Sequence, residues 1–179
     1  MTQALKLFAT YNSATNEQVA TLLSQLGPAA YTQERNTHFK SLHALHFHLL
    51  TSTRFLQCLV RTNSENKYLV SPLTEESYEL KTETSEEVCL LQAQYDKNFL
   101  AFTEALDEKD VTRLKTKMVI NRRTFLMSLS DILTQYIVHT VHHRGQFSQL
   151  LDEMGIEHDI GGVWVFTEEL QTEGRSYAG

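Results

Sequence analysis

Apolar residues recur every three to four positions over four long stretches of the chain, the period expected of helices that each bury one face. In residues 2–26 the repeat is Leu5, Phe8, Thr15, Val19, Leu22 and Leu26, and Gly27-Pro28 then supplies a helix-ending signal. Residues 36–61 carry Leu42, Leu45, Leu49, Leu56 and Leu59 on one side. A third helix begins near Ser85 and continues through Leu91, Tyr95, Phe99, Phe102 and Leu106. Ser85 has Val88 three residues on, so it lacks the Glu of a full capping box, although Glu86 and Glu87 suit the positive end of the helix dipole. The fourth helix spans residues 129–154, with Ser128 as N-cap, Asp131 three residues later and Gly155 as the closing glycine.

Between these stretches the pattern changes. Residues 62–84 are polar, Pro72 denies them a continuous helix, and Lys67-Tyr68-Leu69-Val70 reads as a short extended piece. Lys115 to Ile120, Asn121-Arg122-Arg123 and Thr124-Phe125-Leu126 read as a small β-hairpin between helices three and four. The long connection between helices two and three means that they need not be simple antiparallel neighbours. Val163-Trp164-Val165-Phe166 is an apolar patch in the tail, open to packing on the bundle or to an interface, and residues 168–179 read as a mobile end.

Composition agrees with a helical reading. Seven Gly and two Pro in 179 residues are too few turn formers for an all-β chain. The expectation is an all-α four-helix bundle, one domain over residues 1–167. A net charge of −6 argues against polyanion binding as the main task. Lys115, Lys117, Arg122 and Arg123 form a short basic cluster that reads as a solvated loop. Two cysteines, Cys58 and Cys89, do not make a disulfide framework. The first residues do not read as a signal peptide and no stretch is apolar enough to span a membrane, so a cytoplasmic location without membrane association is expected.

Eight histidines are the unusual feature. His38, His43, His46 and His48 lie around helix two, His139, His142 and His143 lie in helix four, and His158 stands in the tail. A helical wheel places His139 and His143 in the apolar arc of Ile132, Tyr136, Phe147, Leu150 and Met154, with His142 beyond its edge. An i,i+4 pair of imidazoles can converge on one ion. Buried rings satisfied by hydrogen bonds, or exposed ones, are the ordinary alternative. On helix two His48 sits at the edge of the core face, and His43 and His46 point roughly opposite, towards solvent or another partner. One inward histidine from helix two and two from helix four give three ligands and an open position, the arrangement of catalytic rather than structural zinc sites. Other metal motifs fit less well. His139-Thr140-Val141-His142-His143 has no Glu after its first His, no Glu-x-x-His is present, and Cys58 lies ten residues past His48, about 15 Å along a helix.

His139-Thr140-Val141-His142-His143-Arg144-Gly145-Gln146 resembles the H-x-x-x-H-R-G-Q signature of the DinB (DNA-damage-inducible) proteins, bacterial metal-binding bundles. Tyr11-Asn12-Ser13-Ala14-Thr15-Asn16-Glu17 resembles that family's opening segment. Ser41-Leu42 and Leu45-His46-Phe47-His48-Leu49-Leu50 resemble the segment ending in its first metal histidine. The resemblance runs from about residue 8 to residue 160 and places the metal triad on His48, His139 and His143. Thr53 and Arg54 stand where the family often has Asp followed by Arg, so no role of that carboxylate carries over.

The resemblance implies a four-helix bundle with a long crossover, a homodimer, and in characterised relatives chemistry dependent on mycothiol, bacillithiol or glutathione. Three expectations follow. The first is a divalent-metal-dependent enzyme, with Zn, Ni or Fe in the site, that turns a low-molecular-weight thiol on a small electrophilic substrate; with water in place of the thiol the same site supports hydrolysis. No catalytic acid or base is identified, and Arg144 and Gln146 read as packing or surface groups. The second is a non-catalytic dimeric metal- or ligand-binding protein of the stress response. The third, nucleic-acid binding, is disfavoured by charge.

Overall fold

The computed structural model describes residues 2–62, 68–70, 84–120 and 123–160. Four long helices dominate: α1 (Thr2–Ser24), α3 (Leu42–Leu59), α4 (Ser85–Ala105) and α6 (Leu129–Glu153). Two short helices, α2 (Pro28–Thr32) and α5 (Glu108–Arg113), and two small antiparallel hairpins connect them. One hairpin joins β1 (Val60–Thr62) to β2 (Tyr68–Val70), and the other joins β3 (Lys115–Ile120) to β4 (Arg123–Ser128). α1 lies against α4, and α3 lies against both α4 and α6. The fold is therefore the expected helical bundle, and the hairpin expected between the last two long helices is present.

Helix boundaries follow local chemistry. α6 opens on a capping box: Ser128 Oγ accepts from the Asp131 backbone N–H while the Asp131 carboxylate accepts from the Ser128 N–H. It closes at Gly155, whose φ of +67° suits a residue without a Cβ. α4 corrects the sequence reading. Its N-cap is Thr84, one residue earlier than Ser85, and Glu87 completes the capping box that Ser85 and Val88 were unable to form.

The second long helix is also shorter than expected. Residues 36–41 form turns, Lys40 takes a left-handed φ of +66°, and Ser41 Oγ accepts the Ala44 N–H at 3.1 Å, so helix begins at Leu42. At its far end Val60 and Arg61 leave the helix to pair with Val70 and Leu69. Gly27-Pro28 ends one helix and also starts another, because proline at N1 needs no hydrogen-bond donor and α2 follows at once.

The core runs along the bundle axis. Leu5, Phe8, Phe99, Leu129, Leu133 and Tyr136 pack in one cluster, and Val19, Leu23, Tyr31, Leu42, Leu45 and Phe147 pack in another. On α3 Leu42, Leu45, Leu50 and Leu56 are fully buried, and Leu49, expected on the core side, is only half-buried. Among the described residues no helix is long and apolar enough to cross a membrane. The Val163–Phe166 patch, residues 168–179, Pro72, Arg122 and the side chains of Lys117 and Cys58 lie outside the described residues. Cys89 is a free thiol.

Candidate metal centre

α6 buries Ile132, Leu133, Tyr136, Thr140, His143, Phe147 and Leu150 along one face, and His139 stands at the border of that face one turn before His143. α3 packs against α6 and brings His48 opposite the pair. His48 Nε2 lies 3.2 Å from His139 Nε2 and 3.2 Å from His143 Nε2. One nitrogen of each ring falls within 4.8 Å of the others. Zinc–nitrogen bonds of 2.0–2.1 Å in a tetrahedral site put neighbouring nitrogens roughly 3.3 Å apart. The donor set thus fits one small divalent ion, with a coordination position left over.

Electrostatics prepares these rings as ligands. Burial lowers the His48 pKa to about 4, reinforced by the neighbouring His143 and His139 and by His38. Burial also lowers His139, again with help from His143 and His142. His143 is lowered by burial too, partly offset by its hydrogen bond to Gln146. All three are neutral near pH 7, the form that binds metal. His143 Nδ1 donates to Gln146 Oε1 at 2.7 Å, which leaves the lone pair on the Nε2 that faces the other rings. Phe39 walls the centre, its ring centroid 4.8 Å from that of His48 and 5.2 Å from that of His143. Beyond Phe39 and Gln146 lies a cleft of about 100 Å³ that also touches Thr37, His38, Leu45, Gln149, Leu150 and Glu153.

The other histidines divide. His142 is exposed, as its wheel position requires. His158 folds back on α6, with Nε2 3.2 Å from the Ser148 carbonyl. His46 corrects the sequence reading, because it is 5 % exposed and part of the core rather than facing solvent. The unforeseen α2 lays Tyr31 over that side of α3, and the Tyr31 hydroxyl sits 3.0 Å from His46 Nδ1. Burial lowers His46 to about 3, so the ring is neutral and shares this hydrogen bond with the Tyr31 hydroxyl. His43 is half-buried against the same Tyr31 ring.

Arg144 does serve helix packing, while Gln146 holds a metal-centre ring rather than a surface partner. Arg144 is buried, hydrogen-bonded to Asn12 and Asn16 of α1 and stacked over Tyr11, with its guanidinium carbon 5.1 Å from the ring centroid. Thr53, at the position of the missing carboxylate, meets the Tyr136 hydroxyl at 3.2 Å, and Arg54 donates to the Tyr95 hydroxyl at 2.8 Å. The sequence reading placed Asn12 only in the family's opening segment, with no role, and did not single out Gln92 or Asp96; all three are buried and polar. A signal was available: Asn12/Asn16 and Gln92/Asp96 are i,i+4 polar pairs within or beside apolar arcs, like His139/His143.

Four long helices with three imidazoles converging from two of them define a histidine-centred helical bundle. The chain belongs to the DinB family, whose profile matches residues 1–164. Its fold is similar to that of YfiT from Bacillus subtilis, described as a probable metal-dependent hydrolase with an unusual four-helix bundle topology. The match has a TM-score of 0.59 and 16 % identity over 84 % of this chain and 87 % of that one. No curated protein matches by sequence.

Proposed function

We propose that His48, His139 and His143 hold one divalent cation and that the chain is a metal-dependent enzyme acting on a small electrophile, with a low-molecular-weight thiol as the nucleophile. The approach of His48 Nε2 to both partner nitrogens at 3.2 Å carries this reading. Three neutral ligands leave the ion's full charge in place, and when bound it would supply Lewis acidity that draws the proton from a thiol or a water. Residues of the chain do the rest. Gln146 fixes the tautomer of His143, and Phe39 shields one side of His48 and His143 from solvent. The description of YfiT as a probable hydrolase supports water as the nucleophile in a second reading of the same site.

Protein purified without a nickel column is expected to carry about one Zn, Ni or Fe per chain by elemental analysis. Assays of thiol consumption with a panel of electrophiles, run beside ester and amide hydrolysis, separate the readings. Metal-dependent loss of thiol supports the transferase, and thiol-independent turnover supports the hydrolase. Bound metal with neither activity favours a non-catalytic binding protein. Absence of any bound metal overturns the proposal.

A further inference from the structure

Alongside the three imidazoles, seven polar side chains drawn from all four long helices form one connected circuit. Arg144 Nη2 on α6 donates to Asn12 Oδ1 at 2.7 Å and Asn16 Oδ1 at 3.0 Å on α1. The amide nitrogens of those two residues donate to opposite oxygens of Asp96 on α4, at 2.9 and 2.8 Å. Gln92 Nε2 donates to Asp96 Oδ1 at 2.9 Å and reaches Thr53 Oγ1 on α3 at 3.5 Å. Thr53 Oγ1 lies 3.2 Å from the Tyr136 hydroxyl, which returns the circuit to α6.

Its end points sit beside the metal ligands. Arg144 is the residue after His143, Tyr136 precedes His139 by one turn, and Thr53 follows His48 by five residues on α3. Asp96 and Arg144 are 2 % and 6 % exposed, and two buried charges are tolerable only while their hydrogen bonds stay intact. Apolar contact between α3 and α6 is non-directional and leaves rotation and sliding soft, whereas a three-ligand site tolerates errors of only about 0.5 Å. Hydrogen bonds are directional, so a slip of either helix breaks the Thr53–Tyr136 contact or strands a charge.

We propose that this circuit sets the rotation and height of α3 against α6, which makes Asp96, Thr53 and Tyr136 positioning residues for the histidine centre. The proposal rests on the metal-binding reading above and assigns the circuit a task beyond holding the fold together.

The test uses the full chain freed of metal, with Zn²⁺ affinity measured against a chromophoric chelator and site geometry read from Co²⁺ absorption. Tyr136→Phe removes the α3–α6 hydrogen bond and leaves both charges satisfied. It is expected to fold and to bind Zn²⁺ roughly tenfold more weakly, within the usual range for groups that orient ligands, with shifted Co²⁺ bands. Asp96→Leu combined with Arg144→Met removes both charges together at the cost of leaving the Asn12, Asn16 and Gln92 amides unpaired, and where it folds is expected to show the same loss. Unchanged Zn²⁺ affinity and Co²⁺ spectra in the folded variants overturn the proposal, and Tyr136→Phe alone decides if the double variant does not fold. Wild-type protein that binds neither ion overturns the metal reading itself. The positioning claim is then read from imidazole ¹⁵N shifts of His48, His139 and His143 in metal-free protein: a change in Tyr136→Phe supports it and identity overturns it.

Discussion

Gln146 has a task that its surface-facing appearance in the sequence conceals. By accepting the His143 Nδ1 proton at 2.7 Å it orients that ring, while among the described residues His139 Nδ1 is buried without a hydrogen-bond partner. Gln146→Leu should therefore lower Zn²⁺ affinity about 10- to 100-fold with little change in folding, as a chelator competition would measure. His48→Ala, His139→Ala and His143→Ala should each reduce metal content from about one ion per chain to near zero by elemental analysis, since two imidazoles rarely retain an ion that three are needed to hold. His46 gives a prediction of a different kind. Its folded pKa of about 3 lies below the ordinary 6.5, so its contribution to stability is complete above pH 6.5 and is lost as pH falls from there towards 3. His48, His139 and His143 are shifted the same way. Urea unfolding of the metal-free protein should show stability falling between pH 7 and pH 5, with His46 contributing up to about 1.4 kcal/mol per pH unit and the three more exposed rings adding in the same direction. His46→Gln should flatten that slope.

At the scale of the elements, the two ligand-bearing helices are held by different means. α6 has a capping box at one end and a left-handed glycine at the other, and both were legible because such signals are local: Ser128, Asp131 and Gly155 act within a few residues of themselves. Ser128→Ala should cost about 1 kcal/mol of stability by chemical denaturation, and Thr84→Ala about the same at the start of α4. α3 was harder to bound. Its sequence carries no Gly or Pro stop signal before the Val60–Thr62 strand, where pairing with Tyr68–Val70 takes over from the helix. α2 was missed altogether, because five residues are too short for a period to show, and the burial of His46 under Tyr31 was missed with it.

For the whole molecule, the centre joins chain segments 91 residues apart, from His48 to His139. An ion bound there ties α3 to α6 in the folded state alone, so it should stabilise by mass action. Free Zn²⁺ at a hundred times its dissociation constant should add about 2.7 kcal/mol, seen as a rise in Tm that EDTA reverses. What the sequence by itself determined was everything written in periods and neighbours. The four helical faces, the start and stop signals of α6, the β3–β4 hairpin and the i,i+4 placement of His139 and His143 all depend on residues a few positions apart. Because the wheel also set His48 near the core edge, the triad too was within reach. The tertiary structure decided which rings meet at 3.2 Å, that Asp96 and Arg144 share a buried circuit through Asn12 and Asn16, and that His46 turns inward. Each of these depends on how helices distant in sequence rotate and slide against one another. Packing of whole faces fixes those quantities, and no local spacing encodes them.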